Sequence, residues 1–190
     1  MIIGITGGIG SGKTTLSDLL RSNGYPVYDT DKEARRLQNE NAALIYQTKA
    51  LFGADIYKDG ELDRATVASM VFRQPELLKQ LSALVHPIVK KDFKEWASSF
   101  NSTGLIFIES AVLFEGKFNL LIDKVILVTA AEEVRIKRVM KRDGLTKEQV
   151  VSRIKNQIPD AIKAQKSDLV IHTDQGLPDD ILQSIIIWQH

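Results

Sequence analysis

A glycine-rich turn directly after an apolar, β-branched run is the feature that most constrains how this chain folds. The run is Ile2–Ile5, and the turn over residues 7–15 reads GGIGSGKTT. Glycines let several backbone N–H groups converge on one anion without Cβ clashes, and the start of a helix adds a positive dipole. Because the turn ends in Lys13 and Thr14, the pattern predicts a strand, a phosphate-binding loop (P-loop) and a helix in succession.

The P-loop predicts nucleotide binding, with ATP and Mg²⁺ as the expected cofactors. Lys13 is expected to reach the β- and γ-phosphates, and the Thr14 hydroxyl is expected to ligate Mg²⁺. The residues expected to bind the ATP phosphates are Gly8, Ile9, Gly10, Ser11, Gly12, Lys13, Thr14 and Thr15.

Five short apolar runs predict buried strands. They are Ile2–Ile5, Tyr25–Tyr28, Leu105–Ile108, Val125–Val128 and Leu169–Ile171. The runs lack polar alternation and helical stretches separate them, which favours strands covered on both faces. We therefore expect an α/β fold with a five-stranded parallel sheet as a P-loop NTPase core.

Two insertions interrupt this alternation and predict two further parts. Residues 31–100 are expected to form a helical acceptor-binding subdomain without a convincing strand, in which Gly53–Arg64 is a loop. Pro75 is expected to open a helix that ends near Val85, and Pro87 to start the next helix.

The second insertion, residues 131–166, predicts a short helical lid of two helices with Thr146 as an N-cap. The remaining segments, 1–30, 101–130 and 167–190, form the predicted nucleotide-binding core.

Composition and charge exclude several classes of protein. The 25 Lys and Arg residues balance 24 Asp and Glu residues to a net charge of +1, which gives no global reason to expect nucleic acid or membrane partners. The chain has no Cys, and its three His (86, 172 and 190) are scattered, so no zinc site is expected. No leader peptide or membrane-spanning run is recognisable. We expect a cytoplasmic protein that is a monomer or a weak homo-oligomer.

Candidate catalytic side chains follow the second predicted strand. Asp29 and Asp31 come at its carboxyl end, the edge at which ligands bind in open α/β sheets. A carboxylate there can accept a proton from an attacking hydroxyl or hold Mg²⁺ through water, although either residue could instead cap the next helix. Arg35 lies one helical turn beyond Asp31 and could bind an anionic acceptor.

Arginines on the predicted lid form a second candidate cluster. Arg135, Arg138 and Arg142 are spaced by three and four residues, so they share one helical face. Arginines that close over transferring phosphates stabilise the charge of the transition state. A single arginine on a helix is usually a solvated surface charge, but the cluster beside a P-loop favours a function for Arg138 and Arg142.

Seven segments occur in the order found in dephospho-coenzyme A kinases, a family that the chain resembles from about Ile2 to Gly176. The segments read TGGIGSGKTT, YDTDKEAR, DGELDRATVASMVF, LVHPIV, VLFE, RVMKRDGLTKEQVVSRIKNQ and SDLVIHTDQG. The resemblance implies transfer of the ATP γ-phosphate to the ribose 3′-hydroxyl of dephospho-coenzyme A, the last step of coenzyme A synthesis.

The resemblance also implies roles for single residues. Asp31 corresponds to the proposed base, and Arg138 and Arg142 to lid arginines that join Lys13 in catalysis. The residues implied to contact the substrate are Thr6, Asp31, Arg35, His86 and Leu113. From the position of His86 before Pro87 alone, a cap or packing residue is a more common interpretation than a general base.

The third predicted strand departs from the family pattern. It continues from Glu109 as ESAVLFE, without the proline that is common there. Alternatives from the residues alone are another small-molecule kinase, such as a nucleoside or nucleotide kinase, or a nucleotide-dependent regulatory ATPase. Glu109 at the end of that strand is the reason to retain the regulatory ATPase as an alternative.

Overall fold

A five-stranded parallel β-sheet forms the centre of one part of the structure, a computed structural model that describes residues 1–100 and 104–189. The strands are β1 (Ile2–Thr6), β2 (Val27–Asp29), β3 (Tyr57–Lys58), β4 (Glu61–Leu62), β5 (Ile106–Glu109), β6 (Lys124–Thr129) and β7 (Leu169–His172). Five of them form one parallel sheet in the order β2-β5-β1-β6-β7, and β3 pairs with β4. The predicted α/β fold with five parallel strands is therefore confirmed.

Nine α-helices lie within the described residues. They are α1 (Lys13–Ser22), α2 (Thr30–Glu40), α3 (Ala42–Phe52), α4 (Arg64–Arg73), α5 (Pro75–Ser98), α6 (Glu132–Asp143), α7 (Lys147–Lys155), α8 (Asp160–Ala164) and α9 (Ile181–Ile186). Gly24 follows the end of α1 with a φ of 82°, as expected for a C-terminal glycine. Thr146 and Gln149 form a capping box at the start of α7, as predicted.

The chain divides into two compact units. The first comprises Met1–Asp29 and Phe100–His190, and the second comprises Thr30–Ser99. The predicted boundary at residue 101 and the third histidine, His190, lie outside the described residues.

The core of the first unit explains why its strands read as continuous apolar runs. Side chains of β1, β5 and β6 pack with α1 and α9 on one face of the sheet, including Ile3, Phe107 and Ile126, which are fully buried. The intervening residues of β6 are buried as well, so both faces of the sheet are covered. Because all five strands are parallel, their carboxyl ends meet at one edge, where the P-loop also begins.

In the second unit, α5 corrects the prediction of a helix that starts at Pro87. The helix runs without a break from Pro75 to Ser98 and contains Pro87 in its interior. Proline removes one backbone hydrogen bond there, which normally ends a helix. Val85, Val89 and Phe93, spaced by four residues, are buried along one face of α5, and this packing keeps the helix intact.

A short hairpin corrects the prediction that residues 31–100 hold no strand. β3 and β4 pair antiparallel, with Tyr57 opposite Leu62. The two residues between the strands, Asp59 and Gly60, have φ angles of 50° and 85°. Positive φ at both positions is what a two-residue hairpin turn requires, and Asp-Gly satisfies it. Strands of two residues are too short to show an apolar period.

Candidate functional site

A cavity of about 380 Å³ lies beside the P-loop in the first unit. Its lining comes from the P-loop, α6 and the loop after β7: Gly10, Gly12, Lys13, Thr14, Thr15, Arg138, Val139, Arg142, Thr173, Gly176 and Leu177. Seven of the residues predicted from the sequence therefore meet around one space. Gly8, Ile9 and Ser11, also predicted for the phosphates, are not among the described residues that line it.

The backbone of the P-loop explains two of its glycines. Gly10 and Gly12 have φ angles of 78° and 97°, in the left-handed region that favours glycine. A Cβ atom on Gly10 would also lie 2.6 Å from the carbonyl oxygen of Arg135. The loop leads directly into α1 at Lys13, so the positive end of the helix dipole lies at the cavity.

Two polar contacts of the P-loop come from within the loop and from the residue after β7. The Lys13 ammonium donates to the carbonyl of Gly8 at 3.2 Å. The Thr173 hydroxyl, at 2% exposure, donates to the carbonyl of Ser11 at 2.7 Å. Thr173 thus connects the P-loop to the end of β7, and it also lines the cavity.

Arg138 and Arg142 both line the cavity, but their contacts differ. The Arg138 guanidinium donates to the Thr173 hydroxyl at 3.0 Å and also to the Thr173 carbonyl. Arg142 pairs with the neighbouring Asp143, Nε to Oδ1 at 2.6 Å, and its side chain is largely exposed. Arg138 is therefore held by a residue of another element, whereas Arg142 bonds to its neighbour Asp143 at the end of the same helix. Arg135 on the same face is buried.

The carboxylate of Glu109 lies next to Thr14 at the end of β5. The Thr14 hydroxyl donates to Glu109 Oε1 at 3.0 Å, and Glu109 is paired in register with Asp29 across β2 and β5. Burial raises the pKa of the Glu109 carboxyl, and the charge of Asp29 adds to the rise. Glu109 Oε2 is buried without a hydrogen-bond partner among the described residues.

Three of the residues predicted for the substrate lie in the second unit. Asp31 and Arg35 are exposed on the first turns of α2. His86 is half-buried inside α5, so its interpretation as a helix cap is wrong. Burial lowers the pKa of the His86 imidazole, and the charge of Lys90 lowers it further.

The other two predicted substrate residues are buried in the first unit. Thr6 ends β1 with no exposed surface. Leu113 is also fully buried, and its side chain packs beside Gly4 of β1. A fully buried leucine offers no surface to a ligand, so a substrate contact of Leu113 stays a prediction that its burial does not support.

Sequence reasoning missed Thr173 and Asp160, which holds Arg135. Asp160 is a single polar residue outside the seven segments that resemble the family, whereas Thr173 lies within the segment SDLVIHTDQG but had no role implied for it. Besides that segment, the signal for Thr173 is its position after a predicted strand, at the sheet edge where the P-loop also lies. Within the described ranges no helix is long and apolar enough to cross a membrane, and no group of three or more His, Cys, Asp or Glu could hold a metal ion.

Comparison with known proteins gives concordant results. The family model described as dephospho-CoA kinase matches residues 1–179. A dephospho-CoA kinase from Porphyromonas gingivalis is 44% identical over 155 residues, which cover 82% of this chain and 76% of that protein.

Solved structures agree with these sequence matches. A structure from Thermus thermophilus has a TM-score of 0.84 and 37% identity and covers 99% of this chain and 97% of its own. The structure of a dephospho-CoA kinase from Campylobacter jejuni has a TM-score of 0.68 and 26% identity, with 99% and 95% covered. With the P-loop, the arginine-lined cavity and a family model that spans nearly the whole sequence, this chain belongs to the dephospho-CoA kinase family.

Proposed function

We propose that this protein transfers the γ-phosphate of ATP to the 3′-hydroxyl of dephospho-coenzyme A. The observation that carries the proposal is the cavity, because Lys13 of the P-loop and two arginines of α6 line it together. A triphosphate requires compensating positive charge, and the start of α1 adds its dipole to these cations. ATP is the phosphate donor in this proposal.

The residues around the cavity suit phosphoryl transfer. Its transition state spreads negative charge over the oxygens of the transferred group, and fixed cations stabilise that charge. Arg138 is oriented in advance by its two bonds to Thr173, so it needs little reorganisation when charge develops. Arg142, which is largely exposed on the same helix face, would bind the phosphates once they enter.

The oxygen donors beside Lys13 fit a magnesium ion. Mg²⁺ binds oxygen ligands and commonly uses one or two protein groups together with substrate phosphates. The exposed Thr14 hydroxyl would hold the ion, and Glu109, with its unpartnered buried Oε2, would support it from behind Thr14. When bound, the ion neutralises charge on the β- and γ-phosphates.

The acceptor side of the proposal follows the family resemblance. Asp31, exposed on the first turn of α2, would take the proton from the attacking 3′-hydroxyl. Arg35 and His86 would contribute to acceptor binding, whereas a contact of Thr6, which is fully buried, stays a prediction that its burial does not support. Residues 31–100 would form the acceptor-binding subdomain, and residues 131–166 a lid that excludes water, because water competes with the acceptor for the phosphoryl group. The cytoplasmic location and the oligomeric state stay predictions.

Direct product analysis tests the reaction. The protein is incubated with ATP, Mg²⁺ and dephospho-coenzyme A, and coenzyme A is detected by mass spectrometry. We expect coenzyme A to appear in step with ADP. ADP without a phosphorylated acceptor would instead indicate an ATPase, and preferential phosphorylation of a nucleoside or a nucleotide would indicate another small-molecule kinase.

The Asp31→Asn variant tests the proposed base. An amide cannot accept the proton, so turnover should fall much more than ATP affinity does. Asp55→Asn is the matched control, because Asp55 is also exposed in the second unit and has no proposed role. Equal losses of turnover and ATP affinity in Asp31→Asn would remove the role of base.

A further inference from the structure

The guanidinium of Arg135 lies against the P-loop and does not line the cavity. Its Nε donates to the carbonyl of Ile9 at 3.0 Å, and the residue is 7% exposed. A Cβ atom on Gly8 would collide with this guanidinium, so the contact depends on a loop residue that has no side chain. Arg135 shares a helix face with Arg138 and Arg142. Those two arginines line the cavity, whereas Arg135 contacts the loop outside it.

Asp160 at the start of α8 fixes the orientation of Arg135. Its Oδ2 accepts from Arg135 Nη1 at 2.9 Å and from the Thr129 hydroxyl at 2.7 Å. The Arg135 side chain is 8% exposed and that of Asp160 is 19% exposed. A charge-assisted bond with little contact with water holds its geometry more firmly than a surface ion pair does. The plane of the guanidinium is therefore set before any ligand enters.

Gln157 contacts the same loop residue from the other direction. The backbone N–H of Ile9 donates to Gln157 Oε1 at 2.9 Å. Side chains from residues 131–166 therefore satisfy both the N–H and the carbonyl of Ile9. Two bonds of opposite sense fix the peptide groups on both sides of Ile9, and with them the course of the loop towards Gly10, which lines the cavity.

We propose that Arg135, oriented by Asp160, and Gln157 are positioning residues that hold the P-loop in its ATP-binding conformation. Their effect on ATP passes through the backbone of Ile9. The inference rests on the ATP-binding part of the proposed function and does not depend on the identity of the acceptor.

ATP affinity measured by calorimetry without an acceptor tests this inference. Arg135→Lys keeps a positive charge near Asp160 but cannot reproduce the fixed bond from Nε to Ile9. Asp160→Asn keeps the shape of the side chain but removes its charge. We expect each variant to raise the Kd for ATP about tenfold, the scale of one charge-assisted hydrogen bond. The control is Arg21→Lys, because Arg21 pairs with Asp18 at 2.8 Å on the surface of α1 and should leave the Kd unchanged.

Thermal unfolding and a double variant separate positioning from stability. If Arg135→Lys lowers the melting temperature but leaves the Kd for ATP within about twofold of wild type, Arg135 is only structural and the inference is overturned. In Arg135→Lys with Asp160→Asn, the losses of ATP affinity should not add, because the pair acts as one unit. Additive losses would contradict orientation by Asp160.

A third variant covers the case in which Arg135→Lys fails to fold. Gln157→Ala removes an acceptor from a half-buried side chain and should also weaken ATP binding. An unchanged Kd in that variant would overturn the role of Gln157. If the wild type binds ATP but forms no coenzyme A, the proposed reaction fails while this inference is still tested; if the wild type binds no ATP, both fail.

Discussion

Replacing Thr173 by valine should loosen the P-loop and weaken ATP binding together. The Thr173 hydroxyl donates to the Ser11 carbonyl at 2.7 Å and accepts from Arg138 at 3.0 Å. Valine has nearly the same shape without the hydroxyl, so both bonds are lost while the volume is kept. The matched control is Thr173→Ser, which keeps the hydroxyl and removes only a methyl group.

The expected loss of stability follows from these two bonds. A buried carbonyl left without its donor costs about 1–3 kcal/mol. The lost bond from Arg138 adds roughly 1 kcal/mol, because the guanidinium keeps its bond to the Thr173 carbonyl. We therefore expect Thr173→Val to lower the free energy of unfolding of the first unit by about 2–4 kcal/mol. Removing one methyl group in Thr173→Ser should cost only about 1 kcal/mol.

Tryptophan fluorescence during urea unfolding gives a direct measurement for the first unit. The chain has two tryptophans, and Trp188 packs against the core of the first unit. In a Trp96→Phe background the signal therefore comes from Trp188 alone. The same variants are titrated with ATP, and we expect Thr173→Val to raise the Kd for ATP more than Thr173→Ser does.

Two results would refute this reasoning. If valine and serine at position 173 cost the same stability, the hydroxyl contributes no net energy to the loop. If Thr173→Val destabilises the unit as expected but leaves the Kd for ATP unchanged, the contact with Ser11 does not affect the phosphate site.

Three further substitutions test single features of the structure. Pro87→Ala should raise the stability of the second unit by about 1–3 kcal/mol in urea unfolding, because alanine restores a helix hydrogen bond; a loss of stability would contradict it. Glu109 has a raised pKa, so its charge lowers the free energy of unfolding above the folded-state pKa and has no effect below about 4.5. The gain in free energy of unfolding in Glu109→Gln should therefore be larger at pH 8 than at pH 4, and an equal gain at both would refute the raised pKa. His86 has a pKa lowered from 6.5, so the free energy of unfolding should fall as the pH drops from 7 to 5. His86→Asn should reduce that fall in urea unfolding, and identical pH profiles of variant and wild type would contradict the lowered pKa.

The strands of the sheet could be predicted from the sequence because strands that are buried on both faces consist of continuous apolar runs. β2 shows the limit of that signal. Its run was predicted from Tyr25, but the strand is Val27–Asp29. The aromatic residue at position 25 serves packing and not strand pairing. The ring of Tyr25 packs edge-on against that of Phe107, with the centroids 5.8 Å apart, although Tyr25 lies outside the strand. Burial and strand pairing are separate properties, and an apolar run reports only burial.

The proline in α5 shows how packing overrides a local signal. Proline inside a helix removes a hydrogen bond and clashes with the preceding turn, so a prediction from neighbouring residues ends the helix before Pro87. The residues that outweigh it, Val85, Val89 and Phe93, act through contacts with other helices of the second unit. Their energy is absent from any local window of sequence, so the continuous helix could not be predicted from it.

The P-loop shows the same limit at the functional site. Its motif predicts that Lys13 and Thr14 lie beside the bound phosphates, and the structure places both at the cavity. The loop carbonyls of Ile9 and Ser11, however, are bonded by side chains more than a hundred residues away, Arg135 and Thr173. A glycine-rich loop has many accessible backbone conformations, so its glycines permit the phosphate-binding shape without selecting it. The selection comes from partners that the motif does not contain, and those partners are therefore where substitutions outside the motif should change ATP affinity.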